Sequence, residues 1–278
     1  MKKNDDNPVD RIKEQLEILK LFRAKEVIDD VLSEAARANL PASRVIEQLL
    51  SAEVAALIKR RIERRIRESK LPERKLLADY DFDFQTGVDK QQIMELATLG
   101  FAQRKQGVIF AGGSGTGKSH IAKALLLIGC QKNYRCLYTN AATMLRQLMA
   151  ALADDTLDKK LKYYTKPDIL LIDEVGFDRI EQQEARNAFL FFKVIDARYT
   201  KNSTWLTTNI DFKALGDYLG DPVVTASIVD RMVHHSIIIN IDGPSWRLHE
   251  SKKLNRPKTG KPKNPSKKKS EKDDEPKV

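Results

Sequence analysis

The sequence predicts an α/β protein: a parallel sheet covered by helices on both faces, preceded by a small all-helical domain. Three observations predict it. Between residues 106 and 241, apolar runs of strand length alternate with segments of helical apolar spacing, the pattern of a parallel sheet with crossover helices. Before residue 72, apolar residues recur only at helical spacing. Joining the first apolar run, Val108–Ala111, to the helical segment Ile121–Leu127 is Gly112-Gly113-Ser114-Gly115-Thr116-Gly117-Lys118-Ser119, a glycine-rich turn between strand and helix.

Taken in order, residues 9 to 38 carry Ile12, Leu16, Leu19, Ile28, Val31, Leu32 and Ala35 at helical spacing interrupted by charge, and Asn39-Leu40-Pro41 closes the run. A second helix is expected from about Pro41 or Ser43, burying Val45, Ile46, Leu49 and Leu50. A third, Glu53 to Lys70, sets Leu57, Ile58, Ile62 and Ile66 on one stripe, with Arg60, Arg61, Arg64, Arg65 and Arg67 over the rest. Leu71-Pro72 ends it. The segment Leu76–Phe84, with Asp81-Phe82-Asp83-Phe84, reads as an ordered linker. Beyond it a helix is expected over 90–104 and strands over 106–112, 137–139, 168–173, 204–208 and 237–241. Helices are expected over 117–131, 142–152, 158–164 and 182–199, with two more before the last strand. After Arg247 the chain turns to Lys, Pro, Ser and acids without apolar periodicity, so 251–278 is expected to be disordered.

Composition narrows the function classes. The 278 residues are 41% apolar, enough for a large core, and the net charge is +10. About +7 of that excess sits in residues 251–278, with ten lysines and one arginine against four acids, so charge alone says little about the body. The tail reads equally as a solubilising extension and as a clamp on DNA phosphate. No apolar run approaches the ~18 residues of a membrane helix, and no charged leader precedes an apolar segment, so a cytoplasmic protein is expected. Cys130 and Cys136, the only cysteines, read as buried small residues of a reducing compartment.

The chemistry is carried by the glycine-rich turn and by an acidic strand some fifty residues beyond it. GxxxxGK[ST] between a strand and a helix is a phosphate-binding loop. Its glycines let successive N–H groups curl around an anion, Lys118 reaches the β- and γ-phosphates, and the Ser119 hydroxyl ligates Mg²⁺. Gly112 to Ser119 is thus the expected nucleotide-binding set. Asp168-Ile169-Leu170-Leu171-Ile172-Asp173-Glu174, an apolar strand ending in two acids, supplies the second half: emerging beside the loop, Asp173 holds the Mg²⁺ shell and Glu174 polarises the attacking water. Asn209, after Thr207-Thr208, falls at the same sheet edge, either to orient water or as a helix cap. A positive charge for the leaving oxygens is sought in Arg231 or Arg247, each of which has a surface ion-pair role as its alternative. His234-His235 reads as structural, because no acid or cysteine at ligand spacing accompanies it.

These motifs, together with Leu170–Gly176, Asp230-Arg231-Met232, Gly243-Pro244-Ser245-Trp246-Arg247 and Leu71-Pro72-Glu73-Arg74-Lys75, resemble the IstB-like AAA+ ATPases, transposition helpers of insertion sequences and relatives of DnaC-type helicase loaders. The resemblance spans about residues 12 to 248. It implies an AAA+ P-loop NTPase with a five-stranded parallel sheet, divided as a helical domain over 1–72, an ATPase domain over 73–250 and a basic tail over 251–278. It also implies Mg²⁺-dependent ATP hydrolysis, with Lys118, Glu174, Asn209 and a trans-acting Arg231 as catalytic residues and Ser119 and Asp173 at the metal. Implied partners are duplex DNA, further copies of the chain and a transposase. Lys159, Lys160 and Lys162, in the extra helix between the second and third strands, and the basic front helix are the expected DNA contacts, a solvated helix face being the alternative. Two departures stand out: too few residues follow the fifth strand for a helical lid, which leaves Arg247 without a settled role, and the core motifs do not require the lysine tail. A replicative helicase loader, a nucleotide-gated scaffold and a small-molecule kinase are the competing classes; the last would need a second pocket and an acceptor base, which the sequence does not offer.

Overall fold

The structure, a computed structural model, describes residues 7–177 and 185–254. Three helices open the chain: α1 (Pro8–Ile18), α2 (Phe22–Ala38) and α3 (Ala42–Glu68). A single turn at Leu77–Asp79 precedes α4 (Lys90–Leu96), α5 (Gly100–Gln103), β1 (Gly107–Gly112), α6 (Lys118–Gln131), β2 (Cys136–Asn140), α7 (Ala141–Ala153) and α8 (Leu157–Thr165). Then come β3 (Ile169–Val175), α9 (Ala185–Arg198), β4 (Ser203–Thr208), α10 (Leu215–Leu219), α11 (Pro222–His234), β5 (Ser236–Ile241) and α12 (Trp246–Leu254).

Before β1, three helix boundaries differ from expectation, each for a local reason. The run over 9–38 is two helices, because Lys20 adopts a left-handed conformation (φ 59°) between them. The expected second and third elements are instead one 27-residue helix, α3, since no glycine or proline interrupts Ala42–Glu68 and charge on a solvated face does not end a helix. The helix expected over 90–104 is split at Leu99, which is also left-handed (φ 62°) and fully buried. At the far end, α12 continues past residue 250 to Leu254. The remainder of the expected tail, 255–278, lies outside the described residues, as do 182–184 of the helix expected over 182–199.

All four strand pairings are parallel, and the sheet order is β2-β3-β4-β1-β5. The acidic strand β3 is separated from β1 by β4, yet its end emerges beside the loop as expected, with the Ser119 hydroxyl 2.7 Å from the Asp173 carboxylate. The crossover explains this: α6 leaves β1 and packs over β4 and β3 on its way to β2, leaving two positions that the later strands fill. Alternate residues feed two cores. Val108, Phe110, Ile169, Leu171 and Trp205 meet α6 and α4 on one face, while Ile109, Leu170, Ile172 and Leu206 meet α7, α9 and α11 on the other.

The front helices are joined to this body. α2 buries Ala24, Ile28, Val31 and Ala35 largely against α3. The last turns of α3 place Ile66 in the sheet core, and the Ser69 carbonyl accepts a hydrogen bond from the Tyr138 N–H (2.7 Å), covering the β2 edge. No helix among the described residues is long and apolar enough to cross a membrane.

Candidate functional site

The turn after β1 is wound so that only glycine fits. Gly115 (φ 79°) and Gly117 (φ 93°) are left-handed; a Cβ at Gly117 would stand 2.6 Å from the Tyr80 ring, and one at Gly115 would strike the Ser245 hydroxyl. Lys118 opens α6 and is 8% exposed. Its ammonium donates to the Gly113 carbonyl at 2.6 Å and makes no ion pair among the described residues. Burial lowers its pKa; Asp173 opposes that shift and Arg247 reinforces it. A buried cation held only by a loop carbonyl, at a helix N-terminus, is suited to receive an anionic oxygen.

Asp173 is 1% exposed, and protein donors surround its carboxylate. One oxygen accepts from the Ser119 hydroxyl (2.7 Å) and from Thr207, and the other accepts from Tyr138 (3.1 Å) and pairs with Lys123 (3.6 Å). Burial and this carboxylate together drive the Tyr138 phenol far above its usual pKa. The β3–β4 register slips between Ile172 and Val175, and Glu174 is left-handed (φ 61°), so the second acid is turned out to solvent while the first is buried. Thr207 secures both acids, for its oxygen also accepts the Glu174 N–H (2.9 Å). Asn209 is exposed just beyond β4, and the adjoining turn is held by the Thr208 hydroxyl, which accepts from Ile210 N–H (3.2 Å).

The linker, read from sequence only as ordered, forms a wall of this site. Tyr80 and Gln85 both donate to the Thr116 carbonyl (3.1 and 2.9 Å), and Gln85 also reaches the Pro244 carbonyl (3.2 Å). Burial pushes the Tyr80 phenol up to about 12. Phe84 packs against Trp246 and His249, with ring centroids 5.0 and 4.5 Å away. The Trp246 backbone N–H donates to the Gly115 carbonyl (3.0 Å), which brings α12 onto the loop and sets Arg247 beside Lys118. The resulting open cleft of about 1350 Å³ is lined by the loop, the linker and the start of α12. Arg247, left without a settled role in the sequence, thus stands at the site. The one signal for the linker wall was its aromatic density, Tyr80, Phe82 and Phe84 within a polar stretch.

Arg231 lies at the other end of the sheet. It sits near the end of α11 beside Gly107 and Ser236, the first residues of β1 and β5, whereas the loop leaves β1 at Gly112, about 17 Å along the strand. It is paired with Asp196 (3.0 Å) and with the Ser227 carbonyl (3.0 Å), and stacks on Phe192. At that end too, α3 and α8 border a groove of about 1080 Å³ lined by Arg65, Arg135, Lys159, Lys162, Tyr163 and Lys166. Lys160 turns away from it, to Gln147 and the Tyr163 ring.

The donor set fits a triphosphate with Mg²⁺. Gly112, Gly115 and Gly117 cannot accept a Cβ, Lys118 is a buried cation lacking an anion, and the Ser119 hydroxyl and the Asp173 carboxylate present hard oxygens to one point.

Comparison with known proteins agrees. A chain from insertion sequence IS232 of Bacillus thuringiensis subsp. berliner, named for ATP binding, is 32% identical over 244 residues, covering 88% of this chain and 96% of that one. A similarly named chain from insertion sequence IS5376 of Geobacillus stearothermophilus is 36% identical over 214 residues, covering 77% and 84%. A solved structure of a DNA replication initiation factor shares the fold, with a TM-score of 0.50 and 20% identity over 66% of this chain and 54% of that one. The model of the IstB-like ATP binding protein family matches residues 14–254, all but the ends of the chain. With the phosphate loop, the acidic strand and the parallel sheet falling inside that match, the chain belongs to the IstB-like ATP-binding proteins.

Proposed function

We propose that this protein is an ATP-dependent helper of transposition that assembles on duplex DNA, remodels it and engages a partner transposase, with hydrolysis controlling the assembly. The observation that supports the reading is that Arg231 and the loop stand at opposite ends of the sheet. Lys118, Ser119, Asp173 and Glu174 stand at the carboxyl end and Arg231 at the amino end, so Arg231 serves a nucleotide only on a neighbouring copy.

Within one copy, Lys118 would hold phosphate oxygens, and Ser119 and Asp173 would hold Mg²⁺, which when bound supplies positive charge to the phosphates. Glu174, exposed on its bulge, accepts the proton of the attacking water, while Asn209 orients that water. The neighbour's Arg231 leaves Asp196 to meet the charge that develops on the leaving oxygens. The linker wall of Tyr80, Phe84 and Trp246 takes the base. Tight closure of this divided site couples ATP to assembly.

The α3–α8 groove supports the DNA part. Five cations and a tyrosine, opposed within the lining by Glu68 alone, suit a phosphate backbone without base readout. Of the expected contacts, Lys159 and Lys162 stand in this groove, and Lys166 joins them. Relatives from insertion sequences favour a transposase over a replicative helicase as the protein partner. Pull-downs with each would separate the two.

The deciding variant is Glu174→Gln. Turnover is expected to fall about a hundredfold or more, while ATP binding persists and electron microscopy with duplex DNA and ATP still shows multisubunit particles. Full turnover in the variant, or a monomer on DNA with ATP, would refute the reading.

A further inference from the structure

Arg231 does not stand alone at the amino-terminal edge of the sheet. It lines a small, open surface pocket together with Lys105, Arg198 and His235, and among the described residues of that lining there is no carboxylate. Arg198 forms the floor and is fully buried. Its guanidinium donates to the carbonyls of Tyr164, Thr165, Pro167 and Ser203 and to the Thr204 hydroxyl. All of these are neutral acceptors, so no carboxylate is bonded to it; burial lowers its pKa to about 9, with the Asp168 charge opposing the shift. At the rim, Lys105 is exposed, and its ammonium makes no hydrogen bond or ion pair among the described residues. Asp168, which acts electrostatically on both Lys105 and Arg198, is held by Arg135 at 2.6 Å. The His235 Nε2 is buried here without a hydrogen-bond partner. Three cations converge on one small hollow, and only Arg231 among them has a carboxylate partner, the half-exposed Asp196. An anion entering the hollow would find an unpaired ammonium, a guanidinium bonded to no carboxylate and a free imidazole nitrogen.

We infer that this hollow is the seat for the terminal phosphate of a nucleotide held by an adjacent copy, and that Lys105 is a second cation delivered in trans beside Arg231. The inference rests on the proposed trans role of Arg231 and extends it from one residue to a site. Its own loop lies about 17 Å away along β1, so the hollow cannot receive the triphosphate of the same chain. Lys105 precedes β1 directly, which ties its position to the strand that carries the loop. Each copy then offers a loop at one end of β1 and a cation pair at the other. Arg198 acts on the site through its charge and by fixing the ends of α8, α9 and β4; it is a positioning residue.

A complementation assay tests this. Arg231→Ala keeps an intact loop and lacks the finger; Lys118→Ala lacks a working loop and keeps the finger. Mixed, they should regain turnover, because the second supplies its amino edge to the first. The mixture is then repeated with Lys118→Ala also carrying Lys105→Gln, and with Lys105→Arg in its place. The inference expects rescue to fall about tenfold or more with Lys105→Gln and to return with Lys105→Arg. No rescue by Lys118→Ala alone would overturn the trans reading and the inference with it. Equal rescue by Lys118→Ala with and without Lys105→Gln would overturn the inference alone, and a loss of duplex affinity in that same variant would reassign the hollow to DNA phosphate.

Discussion

Thr207 is the residue on which both acids depend: its hydroxyl donates to Asp173 and accepts from the backbone of Glu174. Thr207→Val keeps the shape and removes both bonds, leaving the part-buried Glu174 N–H without its partner. The variant should lose about 1–3 kcal/mol of stability, read in a thermal melt. Its kcat should fall about tenfold with the KM for ATP nearly unchanged, since Lys118 and the glycines still hold the phosphates. Thr207→Ser should restore most of both, and a Thr207→Val enzyme with unaltered kcat would show that Glu174 does not need this anchor. The sequence places Asp173 and Glu174 together at the end of one strand, and their expected division between metal and water follows from their order in the chain. The bulge that turns one in and the other out could not be read there, because strand alternation only places neighbours on opposite faces and does not say which face is closed.

Among the elements, α2 begins without a side-chain cap of its own, and α3 supplies one. Glu53 is 4% exposed and accepts the N–H groups of Arg23 and Ala24 (2.7 and 3.1 Å) while pairing with Arg60 (2.8 Å). Glu53→Ala should cost about 1–2 kcal/mol, the usual value of a lost cap, visible as earlier loss of helical circular dichroism. The Arg60 hydrogen bond, followed by those to the two N–H groups, holds the Glu53 carboxyl below its ordinary pKa despite burial. Its folded pKa is lower than its unfolded one, so the contribution is complete above about pH 4.3, the unfolded value, and is lost as pH falls through the folded value. Glu53→Gln should flatten the acid limb of the front helices' stability curve; an unchanged limb would assign it to other carboxylates. Helix periodicity revealed α2 and α3 but misdivided α3. The division expected before Glu53 is absent in space, where Glu53 lies buried in mid-helix and binds Arg60 two turns on.

Across the whole molecule, the loop and Glu174 occupy one end of the sheet, and the basic groove and Arg231 the other, so the two can be disabled separately. The double variant Lys162→Glu/Lys166→Glu should weaken duplex binding irrespective of sequence and reduce the slope of log K against log salt by about 2. ATP affinity of the isolated protein should not change. A slope equal to that of the parent would remove the groove from the DNA interface. The sequence by itself determined the sheet class, the strand positions, the phosphate loop and the acid pair, because each is a local pattern whose spacing its own chemistry dictates. Only the tertiary structure decided that β4 separates β1 from β3, that the linker walls the cleft, that Arg247 meets Lys118 and that Arg231 and Lys105 share a hollow far from their own loop. These are contacts between residues distant along the chain, and they are set by how crossover helices pack on the sheet rather than by the composition of any one segment.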